Sequence, residues 1–221
     1  MEPDPTELER PECYEEMLQK TVPSWQMFYG TILEYVPYGD VRVLDLGCGT
    51  GFLLEMIREE NPDALLTGID SSPEMLAIAR TKPALADASL LLRDFRNTWP
   101  EGSFDVVIMA SCMFQIPRGE RIRLIGRISR VLSEGGRFIC GEMFRPENEW
   151  EEGIYRAHWR QYMRSQGLSA ESAEWMIGKR DEVYDSFLTY GELRDMLELA
   201  GFSRILIPFT YEFYGVFVAF R

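Results

Sequence analysis

This 221-residue sequence predicts a doubly wound α/β sheet, and three observations predict it. Short apolar runs rich in Val, Ile and Leu alternate with helical segments from residue 41 to residue 144. The first run leads directly into a glycine-rich turn, VLDLGCGTG at 43–51, that opens a helix. Two more apolar runs close the chain with little between them. Alternation at this spacing joins parallel strands through helical crossovers. Runs this apolar suit strands covered on both faces.

Residues 1 to about 12 are acidic and proline-rich and predict a disordered tail. From Tyr14 to Tyr35 the apolar positions Met17, Leu18, Val22, Trp25, Phe28, Tyr29, Ile32 and Leu33 recur at helical spacing, with Pro23 breaking or restarting the helix. Pro37-Tyr38-Gly39-Asp40 is a turn. Residues 41–46 form the first strand, 51–60 a helix stopped by Asn61-Pro62, and 65–70 the second strand. Ser72 caps a helix with Pro73 in its first turn, running to about Thr81. Residues 88–94 and 104–111 are the third and fourth strands. A helix from about Glu120 to Leu132 precedes the fifth, 135–144, which follows a Gly-Gly turn. Residues 147–180 are helical, with a joint at Gly167-Leu168-Ser169. Thr189 and Glu192 make a capping box for a helix that stops at Gly201. Residues 203–209 and 211–220 are two strands, close enough in sequence to pair antiparallel.

The length suits one domain with a full core, and 46% hydrophobic with 27% charged residues is an ordinary globular mixture. A net charge of −13 repels nucleic-acid backbones, so no nucleic-acid partner is expected. The arginines of Arg118 to Arg130 sit at helical spacing and read as a solvated helix face. No apolar run reaches the ~20 residues of a membrane span, and no membrane partner is expected. The first residues do not resemble a signal or transit peptide. Cys13, Cys48, Cys112 and Cys140 fall in no metal spacing and read as reduced thiols of a cytoplasmic protein. With His158 the only histidine, no metal site is expected.

The glycine turn lies where the first strand becomes the first crossover helix, the place where doubly wound sheets bind ligands. Glycines there permit φ > 0 and close backbone approach, and the helix N-terminus offers free N–H groups. The dinucleotide fingerprint GxGxxG is not met, because Phe52 stands where its third glycine belongs. No basic residue assists a diphosphate; instead Asp45 precedes the loop, where a carboxylate attracts an ammonium group or caps the loop backbone. The pocket suits a ligand with amino-acid, sulfonium and adenosine parts. Asp70 ends the second strand, placed to accept ribose hydroxyls or to cap the following helix. Asp94 ends the third, placed to accept the adenine N–H₂ or to serve as a turn residue, with Phe95 as an apolar edge.

In its order of elements, VLDLGCGTG, GIDSSPEML, RDF, FDVVIMASCMFQI and LSEGGRFICGE, the chain resembles a class I S-adenosylmethionine-dependent methyltransferase. The resemblance implies a Rossmann-like seven-stranded sheet, doubly wound, with an antiparallel last strand and a helical lid. It implies S-adenosylmethionine as cofactor and a small-molecule acceptor. By the family's pattern Gly47, Cys48, Gly49 and Gly51 face the methionine part, Asp70 and Ser71 the ribose, and Met75, Asp94 and Phe95 the base. Ala110 and Ser111 follow the fourth strand beside the transferred methyl. One methyltransferase domain over 13–221 is expected, with lid helices at about 13–36 and 147–188.

KTVPSW at 20–25, WRQYMRSQGLSAE at 159–171 and GKRDEVYDSFLTYGELRDMLELAGF at 178–202 are also similar to the branch containing carboxy-S-adenosylmethionine synthases. That similarity implies a dimer and adds Trp25 and Arg180 as cofactor contacts. The branch's glycine loop is of the GCSLG type and its fourth strand is followed by asparagine; GCGTG and Ala110-Ser111 here favour an ordinary methyl donor. A synthase-like enzyme and a non-catalytic cofactor-binding subunit are the alternatives. The aromatics Trp150, Tyr155, Trp159, Tyr162, Trp175 and Tyr184 predict a lid over the methyl group. A hydroxyl acceptor needs a general base, for which His158, Tyr155 and Tyr162 are the candidates.

Overall fold

The computed structural model describes residues 10–221. Its strands are β1 (Arg42–Leu46), β2 (Leu65–Asp70), β3 (Ser89–Leu92), β4 (Phe104–Ala110), β5 (Leu132–Met143), β6 (Arg204–Tyr211) and β7 (Tyr214–Phe220). Its helices are α1 (Tyr14–Thr21), α2 (Trp25–Glu34), α3 (Phe52–Glu60), α4 (Pro73–Ala79), α5 (Arg118–Val131), α6 (Glu149–Ser165), α7 (Ala170–Glu182) and α8 (Tyr190–Leu199). The strands form one sheet in the order β3-β2-β1-β4-β5-β7-β6. β1 to β5 are parallel, and β7 runs antiparallel between β5 and β6. The class, the strand count and the reversed last strand are those the sequence predicts.

Each central strand is apolar on both faces because each face is covered. On β1, Val43 belongs to one core layer while Leu44 and Leu46 belong to the other. The first layer is closed by α1 to α4, α6 and α7, the second by α5 and α8. No helix among the described residues is long and apolar enough to cross a membrane.

Four expectations change. Residues 11–13, which the sequence places at the end of an expected tail, are a 3-10 turn leading into α1; residues 1–9 lie outside the described residues. The N-terminal helix does break at Pro23, but only α1 sits over the cavity described below. In α2, Phe28 and Ile32 are fully buried and would meet any side chain placed at Gly141 of β5, so this helix is a layer of the sandwich and not lid. The Gly-Gly turn lies inside β5, as a bulge where pairing jumps from Phe104↔Leu132 to Val106↔Arg137. The arginine run is not uniformly solvated: Arg121 is fully buried, donating from Nε to Ile116 O at 2.8 Å and from Nη2 to Phe114 O at 3.2 Å.

Gly68, in the middle of β2, is present for space. A Cβ there would come within 2.7 Å of Cys48 Sγ and 2.9 Å of Leu54 Cδ1, both buried. Gly68→Ala is therefore expected to destabilise the protein by about 1–3 kcal/mol through overpacking. A urea midpoint equal to wild type would show that the loop and α3 yield without cost.

Candidate active site

The carboxyl ends of β1, β2, β4 and β5 meet at one edge, and the chain turns sharply after each. After β1 the glycine loop folds onto the end of β2, with Gly47 N and Cys48 N donating to Ile69 O at 2.8 and 3.1 Å. Gly51 caps α3 at φ 75, a left-handed backbone that glycine adopts without steric cost. Asp70 ties the two halves together: Oδ2 accepts from Gly49 N at 2.8 Å and Oδ1 from Ser72 N at 2.8 Å. Ser72 in turn caps α4 through Met75 N, leaving Ser71 exposed and Met75 half-buried beside the loop. Phe95 lies next to Gly47, where an added Cβ would reach it at 3.7 Å. Asp94 closes its own turn and pairs with Arg96, Oδ2 to Nη2 at 2.7 Å, which holds its carboxyl below the usual range.

Asp45 is the unsatisfied member of this group. It is 2% exposed and accepts no hydrogen bond from any described residue. Burial, and then the charge of Asp70, push its carboxyl up to about 7. A buried acid without a donor is costly unless a cation or donor completes it. That chemistry fits an ammonium or sulfonium group and opposes a phosphate.

A second acid lies at the end of β5. Glu142 is 3% exposed, and its Oε1 accepts from Cys112 N at 2.7 Å and Met113 N at 2.6 Å. Ser111, at φ 56, holds the left-handed turn that precedes these two N–H groups. Burial pushes the Glu142 carboxyl up to about 7 against the pull of those donors and of Arg121.

Beside Glu142 and Ser111 opens a cavity of about 540 Å³, roofed by α1 and α7. Met17, Leu18, Trp159, Trp175 and Met176 give it apolar walls, and Tyr14, Arg180 and Tyr214 also face it. α1 is latched over the glycine loop: Thr50 Oγ1 donates to Glu15 Oε1 at 2.6 Å, and Lys82 joins Glu15 at 2.7 Å to Glu55 at 2.6 Å.

The structure gathers Asp45, Gly47, Cys48, Gly49, Gly51, Asp70, Ser71, Met75, Phe95, Ala110 and Ser111 around this edge, and Arg180 on the cavity. Trp25 packs on Phe52 at 6.2 Å and does not line the cavity. The three candidate bases are not brought there either. The side chain of His158 is 59% exposed, with Nδ1 at 2.6 Å from Glu212. The Tyr162 hydroxyl donates to Gln19 O at 2.8 Å, tying α6 to the α1–α2 corner. Tyr155 packs edge-on against Phe213. The reason is helix rotation, since α6 turns Trp159 and Met163 inward and His158 out. Of the expected lid aromatics, Trp159 and Trp175 line the cavity, whereas Trp150 is 68% exposed. Sequence reasoning passes over Tyr14, Glu15, Lys82 and Glu142. Only Glu142 carries a legible signal, the same as Asp70: an acid at the carboxyl end of an apolar strand.

Comparison with known proteins gives the family and the fold. The methyltransferase domain family matches residues 43–136. The chain is 32% identical to demethylmenaquinone methyltransferase of Thermus thermophilus over 73% of this chain and 74% of that one. It is 28% identical to carboxy-S-adenosyl-L-methionine synthase of Campylobacter lari over 94% of this chain and 90% of that one. Human N-acetylserotonin methyltransferase, solved with its cofactor, superposes with a TM-score of 0.66 at 19% identity over 99% of this chain and 56% of its own, a likeness of fold alone.

Proposed function

Since the chain belongs to the class I S-adenosylmethionine-dependent methyltransferases, we propose that it methylates a small, largely apolar acceptor held in the cavity beside Glu142 and Ser111. The observation that carries this reading is the cavity itself: about 540 Å³, apolar-walled, opening beside Ser111 and Glu142, and roofed by a helix whose Glu15 is latched to Thr50 of the glycine loop. That volume is in the range of small-molecule sites. The cofactor supplies an electrophilic methyl on a sulfonium.

The chain's own residues do the rest. In this reading Asp45 holds the ammonium of the methionine part, and the turn of Gly47, Cys48, Gly49 and Gly51 allows close approach of its carboxylate and chain. Asp70, which already fixes Gly49 and Ser72, presents its remaining lone pairs to the ribose. Ser71, Met75 and Phe95 border the base, with Asp94 at the edge, and Ala110 and Ser111 border the methyl. Trp159 and Trp175 exclude water from the acceptor side, and holding the two reactants in line supplies much of the rate.

Calorimetry tests the assignment. Wild type is expected to bind S-adenosylmethionine and S-adenosylhomocysteine, and Asp70→Ala to bind both at least tenfold more weakly. Tight NAD binding with none for either adenosyl ligand would overturn it.

A synthase-like reading draws on one observation, that Arg180 faces the cavity. Mass spectrometry of the small molecule retained on purification separates the two: unmodified S-adenosylmethionine or its demethylated product supports methyl transfer, and a carboxylated form supports the synthase.

A further inference from the structure

Most polar groups on the cavity wall are already engaged. Arg180 is paired with Glu152, Thr21 Oγ1 donates to Met17 O, and the Tyr214 hydroxyl donates to Thr21 O. The Glu142 carboxylate is different: Oε1 is held by two backbone N–H groups, while Oε2 is buried with no partner. The Tyr14 phenol, on the same wall, has no hydrogen-bond partner among the described residues.

Resting on the methyltransferase reading, we propose that Glu142 is the proton acceptor of the reaction and that the cavity takes an apolar hydroxyl compound of the phenol class, its hydroxyl on the Glu142 carboxylate. Apolar walls with one buried, fixed carboxylate select such a molecule: the ring is desolvated by Trp159, Trp175 and the methionines, and the lone hydroxyl finds in Glu142 the buried carboxylate oxygen left without a partner. In the transfer the phenol oxygen forms its bond to the methyl carbon as the carbon–sulfur bond breaks. The electron pair stays on sulfur, which becomes a neutral thioether, and the hydroxyl proton passes to Glu142.

The groups facing Glu142 set its titration. Arg121 of α5 approaches from behind, its Nη1 also unpartnered, across a void of about 10 Å³ that suits one bridging water. Tyr14 of α1, Cys112 and Cys140 are neutral neighbours whose own ionisation is pushed up by burial. Arg180, Lys179 and Glu182 stand on the α7 wall. A carboxyl near 7 is poised to accept a proton at neutral pH.

The test uses protein loaded with S-adenosylhomocysteine and two probes, 2-naphthol and its methyl ether. Wild type is expected to prefer 2-naphthol at least tenfold, with affinity rising as pH passes through about 7. Glu142→Gln, whose amide oxygen still accepts the Cys112 and Met113 N–H groups, should keep its affinity for S-adenosylhomocysteine, lose the preference and show no pH dependence. Glu142→Asp should restore the pH dependence in part. Three outcomes overturn the proposal: no preference for the hydroxyl in wild type, the same preference in Glu142→Gln, or neither naphthyl probe binding to the loaded protein. A wild type that fails to bind S-adenosylhomocysteine overturns the methyltransferase pocket itself, and this proposal with it.

Discussion

Arg180→Ala is expected to destabilise the protein by about 3–5 kcal/mol, the usual cost of removing one partner from a buried ion pair. The Arg180 side chain is 2% exposed and its guanidinium meets Glu152 through two hydrogen bonds, at 2.5 and 3.1 Å. The same group lies 3.8 Å from the centroid of Phe213. Alanine there removes the cation–π contact, opens a cavity and leaves the Glu152 carboxylate with only Arg156 Nη1, at 4.0 Å, for a cation. For a domain of this size the thermal midpoint should fall by roughly 6–20 °C. A double variant with Glu152→Ala should recover a large part of the loss, because the half-buried carboxylate that lost its two short hydrogen bonds is then gone, and the cycle isolates the coupling. The same geometry bears on the synthase-like reading. A cofactor carboxylate would have to compete with Glu152 for this guanidinium. Near-wild-type stability of Arg180→Ala, together with loss of a retained acidic cofactor, would reverse the assignment.

Arg180 also shows where sequence reading stops. Its place on a helix beside the cavity is legible from local pattern and family resemblance, but its partner is not: Glu152 is 28 residues away on another helix. The parts read correctly are those whose chemistry is local. VLDLGCGTG folds back within nine residues, Ser72 caps the helix it precedes, and the Thr189–Glu192 capping box closes on itself. The parts misread depend on rotation or on distant contacts. The α6 segment mixes aromatic and charged residues on every side, so its sequence does not say that Trp159 faces in and His158 out. In the arginine run all members look alike, and only the packing of α5 on the sheet decides that Arg121 is the buried one. Glu142 is visible as an acid at the end of an apolar strand, but its partners, the N–H groups of Cys112 and Met113, come from 30 and 29 residues away and are not. The latch of Glu15 on Thr50 and Lys82 spans longer separations still.

Asp45 leads to the second large effect, a fall in the stability of cofactor-free protein as pH rises from about 4 to about 8. In the unfolded chain this carboxyl ionises near its ordinary value of about 4. In the folded protein burial and Asp70 push it up to about 7. Below both values the group is protonated in both states and costs nothing. Between them the unfolded chain ionises while the folded one holds its proton, so unfolding is progressively favoured. Above about 7 both are ionised and the penalty is complete, up to about 4 kcal/mol. Asp45→Asn should therefore match wild type near pH 4 and exceed it at pH 8, a gap read directly from urea midpoints across the range. Glu142 contributes in the same direction and to a smaller extent, and Glu142→Gln separates its share. If Asp45 meets the cofactor's ammonium, saturating S-adenosylmethionine should remove most of the wild-type fall, and the affinity should rise as pH passes through about 7. The variant should show neither linkage. Parallel stability curves for wild type and Asp45→Asn from pH 4 to 8 would mean that the folded carboxyl is solvated or paired after all, and its role as the cation's partner would go with it.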